Sequence, residues 1–420
     1  MAGQLKINTI QLGDSATATN NFVLSVPTVP DGTVKLSRGN AGATTQDVLT
    51  ISAAGVVTAS SLSTVSATTG TMVPSANQMI GRNLIVNGSC QVDQVNSGAI
   101  ISPLVAGNFS VDNWGYNQNQ TGKLSGQQIT TSMNSLGVTH ANRRTVLSQF
   151  TPGASDWFGD LIPIEGLNSA HLQWGTADAA PVSLQFKARA SVAGTYSGAI
   201  RNAAANRSYP FTFTLAANTA TQIKIENIPG PTDGTWSTDN TQSINIIFDY
   251  GTGTSIKGPA NAWAAANYFG VTGSTNLVSQ VNGSTLDISD VQFEKGAFCT
   301  TFERKLYDQV LRECQRYYQR FNFMTTNSFY FMSWNTAIDG RGILPLIVPM
   351  RTIPTGGGSA ANTFYVQTNT ANYVPSAVAW TARSNIALSP VFTISGAVTG
   401  LPSWIIDAAG TSYIDVSARL

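Results

Sequence analysis

The sequence predicts a mainly β protein with one long helix, and three observations lead to this fold class. Short runs of alternating apolar and polar residues recur along the chain between Gly, Pro, Asn and Asp turn signals. Charged residues are only 11% of the chain and hydrophobic residues 42%, so uncharged polar residues must cover much of the surface. Helical spacing is sustained at 302–321 alone. We expect four parts: a β segment at 1–80, an antiparallel sandwich at 81–301, a connecting helix at 302–322 and a small β-domain at 323–420.

The first part, residues 1–80, is rich in Ala, Ser, Thr and Gly and contains only short alternating runs. Strands are predicted at 22–26, 33–36, 48–51 and 56–58. These strands are too short and too poor in apolar residues to bury a core alone. Residues 59–75 have the composition of a linker. We therefore interpret this part as an attachment segment that is stabilised by sister chains or by a larger assembly.

The second part, residues 81–301, shows the clearest two-residue alternation. Strands are predicted at 182–188, 209–215, 221–225 and 244–250, with turn residues between them. Many short strands with this pattern are typical of an antiparallel sandwich.

The helix is predicted because apolar residues follow one another at steps of three and four. They are Phe302, Leu306, Val310, Cys314, Tyr317 and Phe321. Twenty residues make a helix about 30 Å long, which is short for an independent coiled coil. The apolar face either packs on a neighbouring sheet or joins two other copies in a homotrimer, and the two interpretations are compatible.

The last part, residues 323–420, returns to short alternating runs. Strands are predicted at 329–334, 343–346, 363–366, 391–394 and 413–418. We expect a second, smaller β-domain.

Several stretches resemble the fibre-type structural proteins of bacteriophages and prophages. Residues 12–58, which contain SATATNNF and RGNAGATTQDVLTI, are similar to their N-terminal region. NLIVNG at 83–88 and DVQFEKG at 290–296 resemble the two ends of jelly-roll carbohydrate-binding modules of the family 4/9 type. FERKLYDQVLRECQRYY at 302–318 resembles the segment that follows this jelly roll in phage fibres, and YIDVSARL resembles their C-terminal end.

This resemblance implies a phage virion appendage, a homotrimeric tail fibre that attaches the particle to its host. The N-terminal segment would dock on another virion protein, the jelly roll would bind a host surface polysaccharide, and the C-terminal β-domain would form the tip. The alternatives are a capsid-anchored head fibre and a capsule depolymerase. The implied location is the virion, on the tail or on the head surface, after synthesis in the host cytoplasm.

The resemblance also implies that the first and last strands of the jelly roll lie close together, often around a structural calcium ion. Asp290 is a weak candidate ligand for calcium, since the sequence after Gly88 lacks the acidic residue that many relatives have. We expect no other cofactor.

Composition argues against nucleic acid and membranes as partners. The net charge is +1 with no basic stripe. The longest apolar run, at 343–350, is interrupted by two prolines, and no secretory signal is visible at the N-terminus.

We expect no enzymatic activity, because the usual catalytic patterns are missing. The two histidines, His140 and His171, have no accompanying G-x-S-x-G motif. Three carboxylates, Asp156, Asp160 and Glu165, lie close together in sequence and leave a glycosidase pair as the remaining possibility.

The three cysteines fit neither a metal site nor a disulfide framework. Cys90, Cys299 and Cys314 form no CxxC motif, so we expect buried free thiols, with a Cys90–Cys299 bridge as the alternative. Cys314 lies within the apolar stripe of the helix, which favours a packing role.

Aromatic residues of the sandwich are the best candidates for sugar contacts, because flat rings can cover the apolar faces of sugars. The candidates are Trp114, Tyr116, Trp157, Trp236, Trp263 and Tyr268. Trp114 and Tyr116 lead because polar residues surround them in sequence.

Overall fold

The structure, a computed structural model, describes residues 9–12, 17, 22–25, 34–40, 43–51, 57–59, 81–323, 330–334, 336, 338–368, 371–395, 402–407 and 412–420. Antiparallel sheets dominate these residues, which confirms the mainly β fold class. The two α-helices in the described part of the chain, Gly166–Ser169 (α1) and Tyr307–Gln315 (α2), are both too short to cross a membrane. The chain divides into two compact units, Met1–Ser75 and Ala76–Leu420.

The first unit contains one sheet of five strands, each of which pairs with the next strand along the chain. The strands are Thr9–Leu12 (β1), Phe22–Ser25 (β2), Val34–Asn40 (β3), Ala43–Ile51 (β4) and Val57–Ala59 (β5). Leu24, Leu36 and Leu49 occupy facing positions on three neighbouring strands. The predicted linker lies outside the described residues beyond Ala59.

The second unit begins with a sandwich of two five-stranded antiparallel sheets. Sheet I has the order β13-β10-β17-β8-β7, and sheet II has the order β12-β11-β14-β9-β6. The strands are Gly115–Gln118 (β6), Leu124–Ile129 (β7), Ala141–Val146 (β8), Phe158–Glu165 (β9), Val182–Ala190 (β10), Gly194–Asn202 (β11), Ser208–Leu215 (β12), Thr221–Ile228 (β13), Gln242–Asp249 (β14) and Thr285–Lys295 (β17). A short parallel pair, Lys257–Gly258 (β15) and Gly270–Val271 (β16), lies between β14 and β17 in the chain.

Side-chain alternation explains why the two sheets face each other. Phe186 of sheet I and Phe211, Phe213 and Phe248 of sheet II point into the interior, with ring centroids 5.0–6.4 Å apart. The chain crosses repeatedly between the sheets, as it does in a jelly roll. The predicted antiparallel sandwich is therefore confirmed.

The beginning of the sandwich lies against its last strand, β17. The backbone N–H of Leu84 donates to the carbonyl of Phe293 at 2.9 Å. The Asn83 amide donates to the carbonyl of Val291 at 3.0 Å, and its oxygen accepts from the N–H of Phe293 at 3.1 Å. The neighbouring ends that the resemblance implied are thus present.

The predicted long helix is wrong in its extent, because α2 covers Tyr307–Gln315 only. Val310 and Cys314 are buried against Val92, as the apolar stripe predicted. Leu306 is 81% exposed. Tyr317 and Phe321 are buried but lie after the helix.

Side-chain contacts explain where the helix begins and ends. The carboxylate of Glu303 accepts from the backbone N–H of Asn83 at 2.9 Å, and the N–H of Glu303 donates to Gln292 at 2.7 Å. These bonds hold residues 302–305 against the sandwich in a non-helical conformation. After Gln315 the chain forms a strand that pairs with the last strand of the protein, so the helix cannot continue.

The C-terminal region forms a three-stranded sheet, β18-β28-β22, and an eight-stranded sheet in which β25 also pairs with β26. The strands are Tyr318–Asn322 (β18), Tyr330–Trp334 (β19), Asp339–Gly342 (β20), Leu344–Pro345 (β21), Thr355–Gly358 (β22), Phe364–Gln367 (β23), Asn372–Tyr373 (β24), Ala377–Ser384 (β25), Ala387–Thr393 (β26), Pro402–Asp407 (β27) and Tyr413–Ser417 (β28). They enclose a second core, which includes Phe321, Phe364 and Phe392.

This C-terminal region packs on the sandwich. The carbonyl of Tyr318 accepts from the Gln94 amide at 2.9 Å. Asn240 and Arg351 exchange two hydrogen bonds, at 2.6 and 3.0 Å. The sandwich and the C-terminal sheets therefore form one compact unit.

Candidate functional site

A cavity at one end of the sandwich lies between two loops that the strands bring together. The first loop follows β9 and contains α1, and the second connects β13 to β14. The loops approach closely at Gly175, where a Cβ atom would lie 2.8 Å from the carbonyl oxygen of Gly234. Gly175 also has a φ of +86°, which disfavours any other residue there. We call this space the aromatic cavity.

Three tryptophans pack edge to face beside the aromatic cavity, and two of them, Trp174 and Trp236, line it. The ring centroids of Trp174 and Trp236 are 4.8 Å apart, and Trp263 lies 5.5 Å from Trp174 and 5.6 Å from Trp236. Tyr209 packs against Trp263 at 5.5 Å. Edge-to-face packing of this kind stabilises each ring in one orientation.

The indole N–H groups of the three rings bind backbone carbonyls. Trp174 donates to Ala180 at 2.9 Å, and Trp236 donates to Asp233 at 3.0 Å. Trp263 donates to the carbonyl of Pro229 at 2.7 Å. Since these polar groups are satisfied within the protein, Trp236 presents its half-buried ring to the cavity as apolar surface.

The aromatic cavity has a volume of about 340 Å³. Its lining combines Trp174 and Trp236 with short or polar side chains, which include Ser169, Gln173, Thr176, Asp178, Ser237, Thr238 and Ser243. Four of these, Gln173, Thr176, Asp178 and Thr238, are exposed to solvent. The cavity therefore presents aromatic surface beside groups that can donate and accept hydrogen bonds.

Hydrogen bonds order the second loop. The hydroxyls of Ser237 and Thr241 donate to the carboxylate of Asp239, both at 2.6 Å. These hydrogen bonds lower the pKa of Asp239 to about 2, so it is ionised at neutral pH. Ser237 is thereby positioned at the rim of the cavity.

The prediction that Trp114 and Tyr116 contact a ligand is wrong, because both rings are buried in the sandwich core. Trp114 is 0% exposed and stacks on Phe248 with a centroid distance of 6.2 Å. Tyr116 is 1% exposed, and its hydroxyl contacts Gln118 at 3.1 Å. Polar neighbours in sequence did not reveal which way these rings point.

The other predicted aromatic residues divide between two places. Trp236 lines the aromatic cavity, and Trp263 packs against Trp236 without lining the cavity itself. Trp157 packs on the outer face of sheet II, against a cluster that contains Ile247, and its indole N–H donates to Asn117 at 3.1 Å. Tyr268 lies directly over the backbone of Gly258. Their role as ligand contacts stays a prediction.

Sequence reasoning did not select Trp174, Gln173 or Asp178. The triplet Gln173-Trp174-Gly175 is a detectable signal, since it joins an aromatic ring to a polar side chain and a turn-forming glycine.

Asp290 is not available as a calcium ligand, which corrects the weak prediction of a site there. Its carboxylate is 2.8 Å from the Lys187 ammonium and 2.9 Å from the Arg304 guanidinium. These two cations already neutralise it. The described residues contain no group of three or more His, Cys, Asp or Glu side chains that could hold a metal ion.

The three neighbouring carboxylates belong to three separate sets of contacts. Asp160 is buried in the core, where it pairs with Arg144 at 2.6 Å. Glu165 is buried and accepts from Arg316 and from the Tyr317 hydroxyl at 2.7 Å. Asp156 accepts from the N–H of Gly153 at 2.8 Å in a surface turn.

All three cysteines are free thiols, so the alternative of a Cys90–Cys299 bridge is wrong. Burial raises the pKa of all three thiols, that of Cys299 to about 11. Protonated thiols of this kind are weak nucleophiles. Burial also lowers the pKa of His140 and of His171.

Comparisons with known proteins give only distant likenesses. No protein-family model matches the chain, and no curated protein matches it. Among solved structures, the family 11 carbohydrate-binding module of the cellulosomal cellulase Lic26A-Cel5E of Clostridium thermocellum is 11% identical. That match has a TM-score of 0.24 and covers 47% of this chain and 96% of the module.

Two further solved structures give similar values. A putative sugar binding protein from Bacteroides thetaiotaomicron is 14% identical, with a TM-score of 0.23, over 51% of this chain and 100% of that chain. The arabinose-bound α-L-arabinofuranosidase MgGH51 is 12% identical, with a TM-score of 0.25, over 54% of this chain and 32% of that chain. At TM-scores this low, the likenesses assign no function to this chain, and its function must be argued from its own side chains.

Proposed function

We propose that this protein is a structural appendage of a bacteriophage virion that attaches the particle to its host by binding a surface glycan in the aromatic cavity. The observation that carries the glycan-binding part is the pairing of Trp174 and Trp236 with four exposed polar side chains in one cavity.

The chemistry of the aromatic cavity suits a sugar ring. A pyranose presents an apolar C–H face, which an indole ring covers, and hydroxyls at its edge, which need hydrogen-bond partners. Gln173 and Asp178 supply such partners beside the indoles. The tight packing of the three tryptophans keeps the surface ordered before binding, which limits the entropy lost on association.

The assignment to a phage particle rests on the sequence resemblance at 12–58, 83–88, 290–296 and 302–318. We propose a homotrimeric tail fibre whose N-terminal sheet docks on another virion protein. Display of three copies multiplies a weak single-site affinity through effective concentration.

Glycan binding is tested by titrating the full-length protein against an array of neutral oligosaccharides. Trp236→Ala removes an aromatic surface of the cavity, and we expect an affinity about 10- to 30-fold weaker, on the scale of an interface hot spot. The matched control is Trp157→Ala, since Trp157 is also a half-buried tryptophan with its N–H bonded, on a different face.

If Trp157→Ala abolishes binding and Trp236→Ala does not, the site lies on the outer face of sheet II instead. If purified protein releases reducing ends from host capsule, the protein is a depolymerase.

Location is tested by labelling the protein on intact particles. A tail fibre predicts label at the tail with three copies per fibre. Label on the capsid identifies a head fibre instead.

A further inference from the structure

We propose that the outer face of sheet I holds a second saccharide site, selective for sugars that carry a carboxylate, such as uronic acids. This inference goes beyond the proposed function, because the site shares no residue with the aromatic cavity. The site is a groove of about 700 Å³, which we call the cationic groove. Its lining includes Lys187, Gln222, Lys224, Thr300, Phe302 and Arg304.

Strand register places the polar floor of the cationic groove. Lys187 of β10 is opposite Gln222 of β13, and Gln185 is opposite Lys224. Phe186, between the two β10 residues, points into the sandwich core. Alternation therefore directs Lys187, Gln222 and Lys224 to the outer face.

Two of the three cations in the groove are held in place by the same carboxylate. The Lys187 ammonium lies 2.8 Å from Asp290 and donates to the carbonyl of Leu136 at 2.6 Å. The Arg304 guanidinium lies 2.9 Å from Asp290 and donates to the carbonyl of Gly137 at 2.7 Å. Because Asp290 is only 2% exposed, it neutralises one charge from below and leaves the groove surface positive.

Lys224 is the third cation, and it is exposed. Within the described part of the chain, no side chain or carbonyl binds its ammonium group, in contrast to Lys187 and Arg304. Glu226 follows on the same face of β13, where it accepts from the N–H of Cys299 at 2.9 Å. Glu294, which accepts from the N–H of Thr300 at 2.9 Å, is paired with Arg82 at 3.6 Å and adds no net charge. Three cations against Asp290 and Glu226 therefore leave one positive charge in excess, which matches one carboxylate.

The rest of the lining favours a sugar over a simple ion. The volume of about 700 Å³ is in the range of small-molecule sites. Phe302 lies beneath the Arg304 guanidinium, 5.5 Å from its ring centroid, and contributes apolar surface. The Gln222 amide donates to Gln185 at 3.1 Å, and its oxygen can accept from a hydroxyl of the sugar.

The experiment compares two ligands that differ only at the carboxyl group, which is a charged carboxylate in one and a neutral methyl ester in the other. Oligogalacturonate and its fully methyl-esterified form are titrated into the full-length protein. We expect binding of the charged form, at least tenfold weaker binding of the ester, and a loss of affinity with added salt, because exposed charges are screened. Lys224→Gln should weaken binding of the charged form about tenfold, as expected for the loss of a charge-assisted hydrogen bond.

The control variant is Lys295→Gln, which makes the same charge change at an exposed lysine outside the groove and should leave binding unchanged. Trp236→Ala should leave oligogalacturonate binding intact, so each site succeeds or fails separately. The proposal is overturned if the methyl ester binds as tightly as the acid, if Lys224→Gln and Lys295→Gln have equal effects, or if neither oligogalacturonate nor oligoglucuronate binds. Equal binding of a sulfated oligosaccharide would overturn the selectivity for carboxylates.

Discussion

Two tryptophan-containing regions of the sandwich look alike in sequence and differ completely in the structure. Trp114 follows Asp112 and Asn113 in a loop before β6, yet its ring is 0% exposed and stacks on Phe248 between the sheets. Trp236 also lies in a polar loop, but its ring is half-buried beside Trp174 and lines a cavity. The same residue type in the same kind of segment is buried in the core in one place and lines a cavity in the other.

The difference comes from the surroundings of each loop. The loop of Trp114 closes over the interior of the sandwich, where a large apolar ring gains most from burial. The loop of Trp236 meets another loop at Gly175, and its ring packs against the edge of the core without being enclosed by it.

The largest expected effect is a difference in stability between variants of these two tryptophans. Trp114→Ala leaves a cavity in the core and should lower the free energy of unfolding by about 4 kcal/mol. Trp236→Ala should lower it by only about 1–2 kcal/mol, since part of the ring is already exposed to solvent. Chemical denaturation of both variants measures the contrast. Equal losses would show that the cavity tryptophans are as much part of the core as Trp114.

A second pair, Val310 and Leu306, makes the same comparison within the predicted helical stripe. Val310→Asp should lower the free energy of unfolding by about 3 kcal/mol or more, because it buries an unpaired carboxylate against Val92. Leu306→Asp should have an effect near zero, because Leu306 is 81% exposed. Thermal unfolding of the two variants measures this difference in stability. A large loss for Leu306→Asp together with dissociation of the oligomer would place Leu306 in a subunit interface.

A third comparison concerns carboxylates, and it predicts a dependence of stability on pH. Asp112 is buried, and burial raises its pKa from 3.8 to about 6 although Gln94 and Arg419 oppose this shift. Since the folded protein holds a proton that the unfolded chain releases, the free energy of unfolding should fall as pH rises from about 4 to about 6. The expected change is on the order of 2 kcal/mol.

Asp112→Asn cannot titrate and should remove this part of the pH dependence. Denaturant midpoints between pH 4 and pH 7 provide the test. An equal slope in both proteins would assign the dependence to other groups.

The smallest effect is expected at the exposed carboxylate of the aromatic cavity. Asp178→Ala should leave the melting temperature unchanged, because Asp178 is a surface side chain. Glycan affinity should fall about three- to tenfold through the loss of one hydrogen bond. Calorimetric titration and a melting curve on the same sample separate the two quantities. Unchanged affinity would indicate that the ligand binds away from the first loop.

Local sequence patterns predicted the strands well and the binding surface poorly, for a physical reason. The alternation at 182–188 and 244–250 reports which side chains face the core, so β10 and β14 were predictable. The apolar stripe predicted a helix that is too long at both ends, because Glu303 and β18 bind partners that are distant in sequence. The aromatic cavity depends on the approach of two loops about sixty residues apart, which no local pattern encodes.

The position of Glu165 has a mechanical consequence. Glu165 ends β9, binds Arg316 and Tyr317, and directly precedes α1, which leads into the first loop of the aromatic cavity. A pull on a ligand in that cavity would therefore reach the C-terminal sheets through this ion pair as well as along the main chain. Asn240 and Arg351 form a second such link, from the other loop of the cavity. The two loops that line the aromatic cavity are thus each bonded to the C-terminal region, and a tensile load on the cavity would be shared between two anchor points.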